Sequence, residues 1–236
     1  MDDGIKQNYE GKLRISVLGG GYVGLVTAVC LAELGHRVDL VDIDKERCEL
    51  VNAGKPPIYE SGLKELLSIH ACKSLHAYTC YDVIKESDLT FICVGTPQGA
   101  DGSSDLSMVS SACTSLGDSL KDKENHHVVV VKSTVPPGTT ERLVIPSVLE
   151  HSGKDISEIG FAVNPEFLRE GMAIYDFMNP DRIVIGSLEE RAGDLVESVY
   201  RKINAPIVRT ALTSAEMIKY ASNAFLATKI SYANEI

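Results

Sequence analysis

The sequence predicts an α/β fold: a doubly wound, mostly parallel sheet followed by the start of a long central helix. Three observations carry this. Short apolar runs alternate with amphipathic stretches along most of the chain, as in a parallel sheet covered by helices on both faces. Val128–Val131 is an unbroken β-branched run, the composition of a central strand buried on both sides. Residues 13–42 read strand, glycine turn, helix, strand, acid, which is one complete βαβ unit.

That unit is the most specific part of the chain. A strand over 13–18 runs into Gly19-Gly20-Gly21-Tyr22-Val23-Gly24, and a helix follows over 22–35. Gly19 permits the tight turn, Gly21 lets backbone amides approach a diphosphate, and Gly24 lets the helix lie close to the strand. The helix N-terminus then offers unpaired N–H groups and a favourable dipole to two negative phosphates. The next strand, 37–42, ends in Asp42, 18 residues past Gly24. A carboxylate there accepts the hydroxyls of an adenosine ribose and repels the extra phosphate of NADP, so the expected cofactor is NAD. Tyr22 and Val23 stand at the same turn. Lys45 and Arg47 follow closely and could hold that extra phosphate, but they read more readily as the solvated first turn of a helix over 44–53. An ordinary glycine-rich strand-to-helix turn is the competing reading, and the βαβ context with its acid argues for a Rossmann-type domain.

The remaining elements follow in order. Helical patterns cover 61–70, 105–120, 138–151 and 189–203; strand-like runs cover about 75–79, then 89–94, 127–133, 160–164, 182–187 and 206–210. His126 and His127 are expected at the solvated entrance of a strand. Thr213-Ser-Ala-Glu216 fits a capping box that starts a helix reaching Ile236. Its apolar residues lie on more than one face, as in a helix buried against partners. The chain stops within that helix, so it reads as the first part of a longer protein, divided into a domain over 1–212 and the beginning of a central helix over 213–236.

Composition narrows the partners. The 236 residues carry a formal net charge of −10, which argues against a nucleic acid or an anionic membrane. The polar, acidic start is not a secretory signal, and no apolar run approaches the ~20 residues of a membrane span. A cytoplasmic setting is the default expectation. The six cysteines form no C-x-x-C pair, and Cys30 and Cys93 read as small core residues. The histidines lack metal spacing, so no metal site is expected.

Three loops follow strand ends: Gly95-Thr96-Pro97, Lys132–Gly138 and Asn164–Gly171. In an open parallel sheet they converge beside the glycine turn, which brings Thr96, Thr134, Glu166 and Glu170 toward the reactive end of the cofactor. Glu166 and Glu170 share a face if their segment is helical, as do Lys219 and Asn223 on the last helix. Each has a plainer reading. The threonines serve equally well as helix caps, the two glutamates as a solvated face, Glu216 as the capping-box acid, and Lys219 as a snorkelling side chain. An ammonium and an amide on an otherwise apolar helix are costly to bury without a partner, and a developing oxyanion is such a partner.

At these residues the chain resembles the UDP-glucose/GDP-mannose dehydrogenase family. The matching stretches are Gly19–Gly24, Pro57–Leu63, Phe91–Pro97, Lys132–Thr139, Asn164–Gly171 and Ala215–Asn223, in order along essentially the whole chain. The family oxidises a sugar C6 alcohol to a carboxylate in two NAD-dependent steps through a cysteine-bound intermediate. The resemblance implies that Lys219 and Asn223 polarise the oxygen at C6, and that Glu166, with Thr134 and an ordered water, serves acid–base steps and thioester hydrolysis. It implies that Phe167, Leu168 and Glu170 line the sugar site and that Thr96 sits near the nicotinamide. The family's nucleophilic cysteine lies in a glycine-rich motif beyond the central helix, and none of the six cysteines here occupies one. The expectation is therefore a coenzyme-binding part, which alone binds NAD without completing the oxidation and which forms a homodimer through the central helix in the intact protein. UDP-glucose is the expected substrate and GDP-mannose the runner-up. A two-electron hydroxyacid-type dehydrogenase and a non-catalytic NAD-sensing module are the readings from other classes.

Overall fold

The computed structural model describes residues 11–236; the polar start of the chain lies outside them. Eight strands form a single sheet: β1 (Arg14–Leu18), β2 (Arg37–Val41), β3 (Leu75–Tyr78), β4 (Leu89–Ile92), β5 (His127–Val131), β6 (Ile159–Val163), β7 (Ile183–Ser187) and β8 (Ile207–Thr210). Their order is β3-β2-β1-β4-β5-β6-β7-β8. The first six strands are parallel, β7 runs antiparallel to β6, and β8 is parallel to β7. The doubly wound, mostly parallel expectation is thus met. The switch point falls between β1 and β4, where successive crossovers leave in opposite directions and a crevice opens at the strands' carboxyl ends.

Helices α1 (Tyr22–Glu33), α2 (Lys45–Asn52), α3 (Leu63–His70), α4 (Ser107–Leu120), α5 (Ile145–Ser152), α6 (Ala173–Met178) and α7 (Glu190–Val199) precede the long α8 (Leu212–Glu235). The side chains of β5 show why its run is continuous. Val128 and Val130 belong to the core on one face of the sheet, Val129 and Val131 to the core on the other, as period-two alternation demands. α1 is also apolar all round because Gly24–Ala32 are buried without interruption, which fits its place against β1 and beneath α3 and α6.

Several local expectations are corrected. His127 is not at a solvated entrance. It is 1% exposed, its Nδ1 lies 3.0 Å from the Ser87 carbonyl and its Nε2 2.9 Å from the Thr90 hydroxyl. A carbonyl only accepts, so Nδ1 carries the proton and Nε2 accepts. Burial pushes its pKa down to about 3. His126 is largely covered as well, 3.4 Å from Glu189. The capping box is absent: α8 begins at Leu212 after Ala211, with no side-chain cap, and Glu216 turns away from the helix start. Segment 138–151 enters α5 through a π-helical turn over Thr140–Val144. Among the described residues no helix is long and apolar enough to cross a membrane, and no cluster of potential ligands could hold a metal ion.

Candidate coenzyme and catalytic site

The glycine turn is shaped by contact. Gly19 sits at φ +94°, left-handed backbone that favours glycine. A β-carbon on Gly24 would lie 1.8 Å from the Gly19 carbonyl oxygen, so only glycine lets α1 start this close to the strand. At Gly21, by contrast, a β-carbon would meet nothing within 4 Å. That open space faces a helix N-terminus where Gly21 is the N-cap and no side chain caps it. The N–H groups are left for an anion, as a diphosphate requires. The residues present therefore fit a dinucleotide.

Asp42 stands at the end of β2 with 7% of its surface exposed. Its Oδ2 accepts from the Gly20 amide and from Arg47 Nη1 at 3.0 Å; its Oδ1 accepts from the Asp44 amide at 2.8 Å. Lys45 is solvated as expected. Arg47 is half-buried, its guanidinium set between Asp42 and Asp44, 3.5 Å from the latter.

The loops after β1, β4, β5 and β6 emerge at one edge of the sheet. Thr96 caps no helix; its hydroxyl donates to the Thr134 carbonyl at 2.8 Å and ties the β4 loop to the β5 loop. Thr134 is half-buried in that second loop. Residues 164–170 are not helical, so Glu166 and Glu170 share no helix face. Glu166 turns inward: Oε2 accepts from the Leu168 amide at 2.7 Å, and Oε1 lies 2.8 Å from Lys219 Nζ. Both side chains of this pair are largely covered, 12% and 8% exposed. Lys219 therefore does not snorkel. Glu170 is exposed.

The reach of Lys219 follows from packing. β7 pairs Gly186 with Val163 at the end of β6. A β-carbon on Gly186 would be 2.7 Å from Ala215 Cβ and 2.8 Å from the Ala211 carbonyl. Glycine lets α8 press onto the sheet there, and the next turn carries Lys219 to Glu166. Glu216, on the same buried turn, accepts from the Gly138 amide, from the Thr140 amide at 2.8 Å and from the Thr140 hydroxyl at 2.6 Å. It fastens α8 to the loop bearing Thr134. Asn223, one turn beyond Lys219, is exposed.

Behind the pair lies a polar network that the sequence reading did not single out. Lys132 is 4% exposed; its ammonium donates to Asn164 Oδ1 at 3.0 Å and lies 5.9 and 5.7 Å from the Phe91 and Phe177 ring centres. Burial lowers its pKa. The Tyr200 hydroxyl donates to the same Asn164 oxygen at 2.6 Å. Cys93 is buried, which raises its thiol to about 12, and burial also raises Cys30, so both are protonated core residues. The signal for this network was present in the sequence as Lys132 and Asn164, polar residues abutting apolar strands.

A cleft of about 510 Å³ opens beside these loops, lined by Lys132, Glu166, Phe167, Leu168, Arg182 and Leu226 among others. Phe167 is flanked by two cations, Arg182 at 4.7 Å and Lys219 at 5.4 Å from its ring centre. The glycine turn and Glu170 do not line this cleft.

Residues 13–204 match the UDP-glucose/GDP-mannose dehydrogenase family, NAD binding domain, and residues 213–236 match the central domain of the same family. A UDP-glucose 6-dehydrogenase of Haloferax volcanii is 46% identical over 230 residues, which are 95% of this chain and 54% of that protein. A ternary complex of GDP-mannose dehydrogenase from Pseudomonas aeruginosa superposes with a TM-score of 0.93 at 44% identity, covering 95% of this chain and 52% of that one. A UDP-glucose dehydrogenase from the hyperthermophilic archaeon Pyrobaculum islandicum gives the same TM-score at 47% identity, covering 97% and 53%. The chain thus spans about half the length of the relatives it matches. With a family match over most of its length, the chain belongs to the UDP-glucose/GDP-mannose dehydrogenase family and carries its NAD-binding domain.

Proposed function

We propose that this chain is the coenzyme-binding part of a nucleotide-sugar 6-dehydrogenase. NAD, when bound, supplies the hydride acceptor. The amides at Gly21, Tyr22, Val23 and Gly24 hold the diphosphate, Gly19 shapes the turn with its own N–H given to the Val41 carbonyl at 2.8 Å, and Asp42 accepts the ribose hydroxyls. Thr96 and Thr134 border the nicotinamide end. Lys219 donates to the C6 oxygen and, with Asn223, stabilises negative charge developing there. Glu166, aided by Thr134, takes and returns protons. Phe167, Leu168 and Glu170 orient the sugar.

The observation that carries this reading is the buried Glu166–Lys219 contact of 2.8 Å. An acid and an ammonium converge at the sheet edge that carries the glycine turn. A sensing module has no use for that pair. A substrate oxygen entering between them would exchange the Lys219–Glu166 contact for two new ones.

UDP-glucose is our preferred substrate. GDP-mannose stands beside it, since 46% identity to a relative of the first kind and 44% to one of the second do not separate them. The apolar residues that α8 leaves bare support homodimer pairing through this helix in the intact protein. Titration calorimetry tests the core of the reading. NAD should bind the chain, and Asp42→Ala should weaken it roughly 10- to 100-fold, the loss of hydrogen bonds to a charged group. Absence of heat with folded protein overturns it.

A further inference from the structure

Pro57–Leu63 lies outside the coenzyme turn and the catalytic loops, yet it carries a buried carboxylate. Glu60 is 5% exposed. Its Oε2 accepts from the Tyr22 hydroxyl and from the Gly171 amide at 2.9 Å; its Oε1 accepts from the Ala173 amide at 3.0 Å. The Tyr22 hydroxyl itself lies 2.9 Å from the Gly171 amide. Among the described residues no cation pairs with Glu60. A buried anion held only by neutral donors is tolerated where those donors are fixed in place.

The donors belong to two parts of the site that are distant in sequence. Tyr22 is the first residue of α1, directly after the Gly21 N-cap. Gly171 and Ala173 close the segment that carries Glu166, Phe167 and Leu168, and Ala173 opens α6. Burial, with Glu60 next in weight, raises the Tyr22 phenol to about 12. The hydroxyl keeps its proton at neutral pH and remains a donor.

We propose that Glu60 is a positioning residue that couples occupancy of the coenzyme turn to the setting of the 164–173 segment. The proposal rests on the dinucleotide reading of the glycine turn. A diphosphate drawn onto the amides fixes the backbone at Tyr22. Its ring then holds Glu60, and Glu60 holds Gly171 and Ala173 at the end of the loop that presents Glu166. The path is a contiguous chain of hydrogen bonds, and coupling along it is a measurable quantity.

Hydrogen exchange of peptides covering 164–173, with and without saturating ADP-ribose, tests this. ADP-ribose carries the diphosphate and lacks the nicotinamide, so it removes the coenzyme's own reactive ring from the comparison. The same sample is titrated by calorimetry to establish binding. In the unaltered chain ADP-ribose should slow exchange there roughly threefold or more, the signature of a segment whose local opening is suppressed. Glu60→Gln, which places an amide nitrogen against one set of donors, should abolish the slowing at full occupancy. Tyr22→Phe should do the same and decides the matter if Glu60→Gln does not fold. A merely structural carboxylate would speed exchange equally with and without ligand and leave their ratio unchanged; that result in either folded variant overturns the proposal. Binding heat without slowing in the unaltered chain also overturns it while sparing the dinucleotide reading. Absence of heat removes both.

Discussion

The first turns of α8 and its last turns are one helix in opposite environments. Over Leu212–Lys219 the helix buries polar groups: Glu216 is 2% exposed and Lys219 6%, each with a named partner. From Ala221 onward it bares apolar ones, with Phe225 at 71%, Leu226 at 56%, Ile230 at 53% and Tyr232 at 69%. The inversion teaches that polarity alone does not locate a surface. A buried charge is informative because its partners must be found inside. A bared apolar side is informative because nothing inside accounts for it.

The contrast is sharpened first by pH, at another buried polar group. The folded His127 titrates near 3 and its unfolded counterpart near 6.5, so the unfolded chain binds the extra proton between those values. The stability contributed by neutral His127 is complete above about pH 6.5 and is lost as pH falls toward about 3, on the order of 5 kcal/mol at full extent. Denaturant unfolding at pH 7, 5 and 4 should show that decline, and His127→Gln should flatten it. An unchanged slope would mean that the imidazole is not sealed in.

Glu216→Ala comes next, at about 3 kcal/mol, because it strands two amides and a hydroxyl in the interior. Thermal unfolding measures the loss, and a shift below about 1 kcal/mol would break the contrast at its polar end. Gly186→Ala should cost about 1–3 kcal/mol by forcing α8 off the sheet, a loss read by the same thermal unfolding. At the bottom of the scale, Phe225→Ser should change the stability of this chain by less than ~0.5 kcal/mol. A larger drop would mean that the distal turns are covered within the chain itself.

Much of this was legible in the residues. The βαβ unit at 13–42 announced its glycine contacts, because a helix packed against its own strand leaves no room for a side chain at Gly24. Val128–Val131 announced a strand with two buried faces. The reversal at β7 was not legible: strand propensity is the same in either direction, and the short α6 that precedes β7 covers only six residues. Glu216 was misread for a physical reason. The spacing Thr213–Glu216 satisfies a capping rule, but the carboxylate finds three donors across 76 or more residues of sequence, and local spacing cannot register them. His127 was misplaced likewise, since the acceptor and donor that make burial tolerable come from Ser87 and Thr90. Lys219 and Glu166 were singled out from different elements, and their meeting needed the close approach that Gly186 permits.

The arrangement at Asp42 bears on how readily this domain could change allegiance. The carboxylate faces a guanidinium of its own chain, Arg47, at 3.0 Å, so on the function proposed for Asp42 a group that would reject a 2′-phosphate neutralises one that would welcome it. Discrimination between the two coenzyme pools then depends on a local balance of charge. With the acid removed, Arg47 would still lie 3.5 Å from Asp44, so one substitution would loosen the choice of coenzyme and a second would be needed to free the guanidinium.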